Sequence, residues 1–214
     1  MERRIFLAGG AAAVTALGAS DKINVAVVGL GGRGRYHVTR WLEHPAANIA
    51  ALCDVDTAQS ERAAKVVEKA TGRAPKIYQD LRKLYEDKDV DAVSTANPNH
   101  WHALSAIWAL QAGKDVYGEK PATYNMFESR QLLAAARKYG RICQIGMQSR
   151  SSTHVRRAVE LLRQGAIGRL YMAKGLCFKR RKSIGRTPPS PVPAGVDWNI
   201  FLGQIGRASC RERV

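Results

Sequence analysis

The 214-residue sequence has few cysteines, few acidic residues and few aromatic residues. Its four cysteines (Cys53, Cys143, Cys177 and Cys210) form no C-x-x-C pair, so the sequence predicts neither a metal site nor a disulfide framework. Eighteen Asp and Glu oppose 34 Lys and Arg, which gives a net charge of +16. Aromatic residues make up 7% of the chain and no recognition motif interleaves them with the basic residues, so we expect no nucleic-acid partner.

Long apolar runs are also absent, and the longest one near the N-terminus is short and rich in small residues. Arg3 and Arg4 precede residues 8–19, AGGAAAVTALGA, a run too short and too glycine-rich to span a bilayer. This arrangement resembles a twin-arginine signal. We therefore expect residues 1–20 to be an export signal that sends the protein to the periplasm, without stable membrane insertion. The alternative is an unstructured tail in which two arginines are adjacent by chance.

Residues 22–56 have the pattern of a β-turn-α-β unit that binds a dinucleotide. A short apolar run ends at Gly29, and Gly29, Gly31 and Gly34 then fit the pattern G-x-G-x-x-G ahead of a helical segment. We expect Tyr36, Val38, Trp41 and Leu42 to share the inner face of that helix. A second apolar strand ends at Asp54, whose carboxylate would accept hydrogen bonds from the adenosine ribose and favour NAD over NADP. Asp56 is expected to cap the next helix, over residues 57–70.

Strands and helices continue to alternate after residue 57, which predicts an α/β fold with a doubly wound parallel sheet, the Rossmann arrangement. We place the cofactor domain at residues 21–150. A strand over residues 170–178 would open an α+β second domain that occupies residues 151–204 and is truncated. In the helix over residues 124–139, Leu132, Leu133 and Ala136 are expected to face inward.

Several polar residues follow the strands at the edge where ligands bind in such a sheet. Residues 97–102, Asn-Pro-Asn-His-Trp-His, follow one strand, and Glu119-Lys120-Pro121 follow the next. Local rules explain part of this pattern, because Pro98 ends a strand and Asn99 is a good helix cap. His102 would donate to a cofactor oxygen, and Lys120 would relay a proton to or from a substrate hydroxyl. The alternatives are a structural histidine and a solvated Glu-Lys pair.

Taken together, these motifs resemble the Gfo/Idh/MocA oxidoreductases. The resemblance covers residues 22–204 and rests on the glycine loop, Asp54, the two stretches at 97–102 and 112–121, and Gly-Met-Gln-Ser-Arg at 146–150. It implies Lys120 as the catalytic residue and Arg150 as a substrate contact. The cofactor-binding residues that we predict are Gly29, Gly31, Gly32, Arg33, Gly34, Asp54, Asn97, Asn99, His102, Glu119, Lys120 and Gln148. Within this set Gly32 and Arg33 would lie on the pyrophosphate, and Asn99, His102, Glu119 and Gln148 near the nicotinamide half.

The resemblance implies NAD-dependent hydride transfer on a sugar, cyclitol or related polyol, by a homo-oligomer when the protein is full length. Two alternatives stay open: a lyase, epimerase or glycosidase that oxidises its sugar transiently, and a nucleotide-binding fragment without turnover. The family's second catalytic motif, an acid-x-x-x-histidine pattern, has no counterpart in this sequence. We also expect residues 205–214, IGRASCRERV, to derive from a sequencing adapter, and the truncated chain to be inactive.

Overall fold

The structure is a computed structural model that describes residues 22–176, 182, 183, 185, 188 and 190–206. It consists of two compact units, the first formed by residues up to Gly146 together with those from Pro193 onward, and the second by Met147–Val192. The expected export signal at residues 1–20, residues 207–214 of the expected adapter-derived tail, and Cys177 and Cys210 lie outside the described residues.

The first unit contains a six-stranded parallel sheet with the strand order β3-β2-β1-β4-β5-β6. Its strands are β1 (Ile23–Val28), β2 (Ala47–Cys53), β3 (Lys76–Tyr78), β4 (Ala92–Thr95), β5 (Asp115–Glu119) and β6 (Cys143–Gly146). Its helices are α1 (Gly32–Leu42), α2 (Thr57–Thr71), α3 (Leu81–Glu86), α4 (His102–Gln111) and α5 (Met126–Tyr139). Because the order reverses after β3, the chain winds helices onto both faces of the sheet, which confirms the predicted doubly wound α/β fold.

Two buried clusters on opposite faces hold the sheet between its helices. Ala26 and Val28 of β1 belong to one cluster, which also contains residues of α3, α4 and α5, whereas Val27 belongs to the other, with residues of α1 and α2. This alternation follows from the two-residue period of a strand. The register between β1 and β2 shifts after Val25, which pairs with Ile49 while Ala26 pairs with Ala51, so Ala50 is an extra residue.

Local sequence signals set the bounds of most helices. The side chain of Asp56 accepts a hydrogen bond from the Ala58 N–H, which confirms the predicted cap of α2. Asn125 caps α5 by accepting from the Glu128 N–H, so that helix begins two residues later than the sequence indicated. Asn99 begins a 3-10 turn, Asn99–Trp101, and no side chain caps α4, so the predicted capping role of Asn99 is wrong.

The inward faces of α1 and α5 differ in part from those that hydrophobic spacing indicated. Tyr36 is 44% exposed, while His37 next to it is buried; in α5 Leu133 is 52% exposed, and Leu132 and Ala135 are buried. Only Tyr36 and Leu133 depart from the prediction, because Val38, Trp41, Leu42, Leu132 and Ala136 are all buried or partly buried. His37 takes the inner position because both its ring nitrogens find partners there.

The second unit contains the short helix α6 (Gln148–Ser151) and α7 (Thr153–Arg163). The strand predicted over residues 170–178 is not present in its described part, residues 170–176, where Tyr171 is 90% exposed. A strand needs a neighbour for its backbone hydrogen bonds, and none of the described residues pairs with this segment.

Residues 193–206 return to the first unit, although the sequence assigned most of them to the second domain. They contain α8 (Trp198–Leu202) and a 3-10 turn, Gly203–Ile205. The Asp197 N–H donates to the Val55 carbonyl, and Trp101 Nε1 donates to the Ile200 carbonyl at 2.9 Å. This segment therefore contacts the chain just after β2 and just after β4, and the predicted boundary at residue 150 stays a prediction.

Candidate functional site

The three motif glycines after β1 have distinct environments. Gly29 has φ of +80°, and a Cβ there would lie 2.6 Å from the Asn97 nitrogen. A Cβ on Gly34 would lie 1.7 Å from the Gly29 oxygen, so helix and turn touch at this residue. Around Gly31 and Gly32, by contrast, a Cβ would meet nothing within 4 Å. The first and third glycines are thus required by packing, whereas the middle of the loop leaves room for a ligand to approach the backbone.

Helix α1 starts at this open part of the loop with its N–H groups unblocked by side chains. No side chain caps it, and its first turn contains no acidic residue. The first N–H groups of a helix have no partners within the helix and carry the positive end of its dipole. Such a helix start favours a phosphate group.

Asp54 follows β2 beside the glycine loop, and two backbone groups hold its carboxylate. The Leu30 N–H donates to Oδ2 at 2.5 Å and the Asp56 N–H donates to Oδ1 at 2.9 Å. Burial raises the pKa of Asp54, and these two hydrogen bonds oppose that rise. The carboxylate is therefore fixed where the sequence predicted a ribose contact, one strand away from the glycine loop.

Glu119 ends β5 and is buried, with 6% of its side chain exposed. Its Oε1 accepts a hydrogen bond from Arg33 Nε at 2.7 Å and lies 3.0 Å from His37 Nε2. The sequence placed Glu119 near the nicotinamide half of a cofactor. In the structure the buried carboxylate faces α1 and bonds to Arg33, and its place near the nicotinamide half stays a prediction.

His37 is the residue that sequence reasoning missed. It lies four residues after Arg33, one helical turn further along the same face of α1, and its Nδ1 lies 3.0 Å from Ser94 Oγ in β4. Burial lowers the pKa of His37, and the hydrogen bond to Glu119 opposes that effect. The spacing of Arg33 and His37 on one helix face was the only signal in the sequence.

Asn97 follows β4 and carries a carboxamide that the described residues do not satisfy. Its Oδ1 and Nδ2 are both buried and have no hydrogen-bond partner among those residues. Buried polar atoms are almost always paired, so an unpaired carboxamide at the ligand edge fits a residue that awaits a polar ligand. Asn99, two residues later, is exposed at the start of its 3-10 turn.

His102 is buried, and both of its ring nitrogens have partners. Its Nδ1 lies 2.5 Å from the Pro121 carbonyl oxygen and its Nε2 lies 2.8 Å from the Asn97 carbonyl oxygen. The predicted contact of His102 with the cofactor stays a prediction. His102 connects the loop after β4 to the loop after β5, because both of its ring nitrogens are directed at backbone carbonyls.

Lys120 lies directly after Glu119, at the carboxyl end of β5, and its side chain is exposed. The peptide bond between Lys120 and Pro121 is cis. Since β5 is separated from β1 only by β4, the axes of β5 and β1 lie about 10 Å apart. Lys120 and the glycine loop follow these two strands and lie at the same edge of the sheet.

Gln148 and Arg150 belong to α6 in the second unit, so their roles in cofactor and substrate binding stay predictions. No set of three His, Cys, Asp or Glu side chains in the described part of the chain is grouped closely enough to hold a metal ion. None of the helices described for this chain is both long and apolar enough to cross a membrane.

The residues of this edge fit NAD. Asp54 would hold the ribose hydroxyls, the uncapped start of α1 with Gly31, Gly32 and Arg33 would hold the pyrophosphate, and Asn97 would supply its unpaired carboxamide. The strand order places these groups along one line of the sheet edge, from β2 across β1 to β4. This is the crevice in which doubly wound sheets bind dinucleotides.

Comparison with known proteins agrees with this geometry. The oxidoreductase YrbE of Bacillus subtilis is 28% identical over 155 residues, which cover 72% of this chain and 44% of that protein. Glycosyl hydrolase family 109 protein 1 of Phocaeicola vulgatus is 33% identical over 127 residues, covering 58% of this chain and 27% of that protein. This chain thus matches less than half the length of either relative.

Solved structures give the same fold. The scyllo-inositol dehydrogenase of Lactobacillus casei, solved with NAD(H) and scyllo-inositol bound, matches with a TM-score of 0.63 and 27% identity, over 69% of this chain and 42% of that one. The myo-inositol 2-dehydrogenase of Lactobacillus plantarum matches with the same TM-score, 0.63, at 23% identity over 69% of this chain and 42% of that one, and supports the fold alone.

A family assignment rests on the cofactor domain. Residues 23–147 match the Gfo/Idh/MocA family, described as an oxidoreductase family with an NAD-binding Rossmann fold. The match runs from β1 to the residue after β6 and so includes the glycine loop, Asp54 and Glu119-Lys120-Pro121. It confirms the predicted family and the predicted NAD cofactor. The chain belongs to the Gfo/Idh/MocA family of NAD-binding oxidoreductases.

Proposed function

We propose that the complete gene product oxidises a hydroxyl group of a small polyol or sugar, with NAD as the hydride acceptor. The observation that carries this proposal is the exposed amine of Lys120 at the end of β5, on the nicotinamide side of the glycine loop. Asp54 at the end of β2 fixes the adenosine side, so a dinucleotide that lies across β1 directs its other half toward β4 and β5.

The residues of this chain would bind NAD, orient the substrate and move a proton. When NAD is bound, its nicotinamide ring can accept a hydride from the carbon that carries the substrate hydroxyl. Lys120 Nζ would accept the proton that this hydroxyl loses. The carbonyl oxygen of Pro121, directly after Lys120, is held by His102, which fixes the loop that presents the amine. Glu119 anchors the other side of Lys120 through its bonds to α1.

The names of the similar proteins support the proposed substrate class. The scyllo-inositol dehydrogenase was solved with NAD(H) and scyllo-inositol bound, and its sequence is 27% identical to this chain. A small ring with several hydroxyl groups presents a secondary alcohol, the group that hydride transfer to a nicotinamide oxidises.

A glycosidase that oxidises its sugar transiently is the second candidate. The observation that favours it is the similarity to a glycosyl hydrolase family 109 protein at 33% identity. Both candidates would use the same cofactor edge and Lys120. They differ in the fate of the hydride, which a dehydrogenase releases as NADH and such a glycosidase returns to the sugar.

One assay separates the two candidates. The complete gene product is incubated with NAD and either scyllo-inositol, myo-inositol or a panel of aryl glycosides, while NADH and substrate are measured together. We expect NADH to form in a one-to-one ratio with the loss of a cyclitol or sugar. Release of the aryl group without net NADH would favour the glycosidase. NAD binding without turnover of any compound would contradict both.

Asp54 should make the protein prefer NAD to NADP. The carboxylate is held in place by two backbone N–H groups and would repel a 2′-phosphate on the ribose, so we expect NADP to bind at least about tenfold more weakly than NAD. Asp54→Asn removes the charge, keeps a hydrogen-bond acceptor and should bring the two affinities closer together. Isothermal titration calorimetry with both cofactors measures this ratio.

Asp56→Asn is the matched control, because it removes a carboxylate two residues away and asparagine is also a good helix cap. It should leave the ratio of NAD to NADP affinity unchanged. Equal affinities of the unmodified protein for the two cofactors would show that Asp54 does not select between them.

A further inference from the structure

A buried chain of hydrogen bonds connects three elements beneath the glycine loop. Ser94 lies in β4, His37 in α1 and Glu119 at the end of β5, and all three are buried. The distances are 3.0 Å from Ser94 Oγ to His37 Nδ1 and 3.0 Å from His37 Nε2 to Glu119 Oε1. Arg33 completes the chain by donating from Nε to the same Glu119 oxygen at 2.7 Å.

The direction of each bond follows from the chemistry of its partners. Glu119 Oε1 already accepts from Arg33, and a carboxylate offers only acceptors, so His37 Nε2 carries the proton that it donates. Burial lowers the pKa of His37 and so favours the neutral ring, whose Nδ1 is then an acceptor. The Ser94 hydroxyl therefore donates to Nδ1, and every polar atom named in the chain has a partner.

The series of hydrogen bonds ends at Arg33, whose side chain reaches the cofactor edge. Arg33 is 39% exposed, and its guanidinium lies 4.6 Å from the centre of the Tyr36 ring as well as against Glu119. Its bond to Glu119 uses Nε, which lies on the inner part of the guanidinium. The carboxylate and the ring hold the guanidinium from two sides. Arg33 directly follows Gly31 and Gly32, around which space is open.

We propose that His37 is a positioning residue for the cofactor pyrophosphate: it orients Glu119, which in turn holds Arg33 beside the glycine loop. Glu119 accepts from Arg33 and His37, on successive turns of α1, and each donor restrains the rotation of the carboxylate about its last torsion. Ser94 fixes the His37 ring in the tautomer that donates to Glu119. This inference rests on NAD binding and is independent of the proposed reaction.

Binding measurements on the 214-residue chain test the proposal with two ligands. NAD contains a pyrophosphate and adenosine does not, so a positioning effect through Arg33 should appear with NAD only. We expect His37→Phe, which fills the same space without a hydrogen bond, to weaken NAD about tenfold in calorimetry and to change the adenosine affinity less than about twofold. His37→Gln, whose amide can donate to Glu119, should recover most of the NAD affinity. His154→Phe, at an exposed histidine of α7, is the control.

A double-mutant cycle tests whether His37 acts through Arg33. If it does, adding His37→Phe to Arg33→Ala should weaken NAD binding no further than Arg33→Ala alone. Additive losses, an equal loss of adenosine affinity, or an unchanged NAD affinity in His37→Phe would each overturn the proposal.

A measurement without any variant covers the case in which His37→Phe does not fold. Nitrogen-15 NMR of the histidine rings should show His37 protonated at Nε2, and NAD but not adenosine should shift this signal. Protonation at Nδ1 instead would contradict the proposed direction of the bonds. A shift with adenosine alone would contradict the proposed link to the pyrophosphate.

Discussion

Replacement of Lys120 by alanine in the complete gene product is expected to reduce turnover about a hundredfold or more, the usual effect of losing a group that transfers a proton. This corresponds to about 2.7 kcal/mol of transition-state stabilisation. The physical reason is the position of the amine, exposed at the carboxyl end of β5 on the same edge as the glycine loop. The turnover number is measured with the substrate that gives NADH in the assay above.

The fold should not depend on Lys120, because its side chain is exposed. NAD affinity and the thermal midpoint should therefore change little. Lys88→Ala is the matched control, since Lys88 is also exposed but precedes β4 at the opposite edge of the sheet. Normal turnover in Lys120→Ala would remove this residue from the mechanism.

Gly34→Ala is the substitution with the largest expected effect on stability. Its Cβ would lie 1.7 Å from the Gly29 oxygen and 2.7 Å from the Gly29 carbonyl carbon, and these are backbone atoms of a tight turn that cannot move aside cheaply. We expect a loss of at least about 3 kcal/mol in the free energy of unfolding, at the upper end for overpacking. The thermal midpoint should fall by about 10 °C in a calorimetric scan.

Gly31→Ala is the matched control within the same loop. A Cβ there meets nothing within 4 Å, so the thermal midpoint should fall far less than in Gly34→Ala. The same methyl group would occupy the space into which the pyrophosphate must come, so NAD affinity should fall at least about tenfold. A stable Gly34→Ala protein, or unimpaired NAD binding by Gly31→Ala, would contradict the separate roles assigned to the two glycines.

Much of the cofactor domain was predictable because its signals are local. The apolar run of β1, the three motif glycines and the cap at Asp56 each specify backbone conformation within a few residues, and the structure has all of them. The alternation of strands with helices then leaves few topologies for a parallel sheet, since its crossovers must be right-handed. The positions of Asp54 and Lys120 at strand ends follow from the same alternation.

The second unit shows where such local reasoning fails. Residues 170–176 have the apolar character of a strand but do not form one in the structure. A strand exists only by pairing with another, so its sequence alone cannot ensure it. The return of residues 193–206 to the ends of β2 and β4 was likewise invisible, because it depends on contacts such as Trp101 with Ile200, 99 residues apart.

The sequence by itself determined which residues end each strand of the cofactor domain, and therefore which ones reach the edge where NAD binds. Only the tertiary structure decided what those residues do there. Glu119 and His37 are 82 residues apart and meet because α1 packs against the sheet with His37, and not Tyr36, on its inner side. Hydrophobic spacing predicted Tyr36 on the inner face of α1. His37 is buried there instead, because partners from two different strands satisfy both of its ring nitrogens, and such a ring can be buried at little cost.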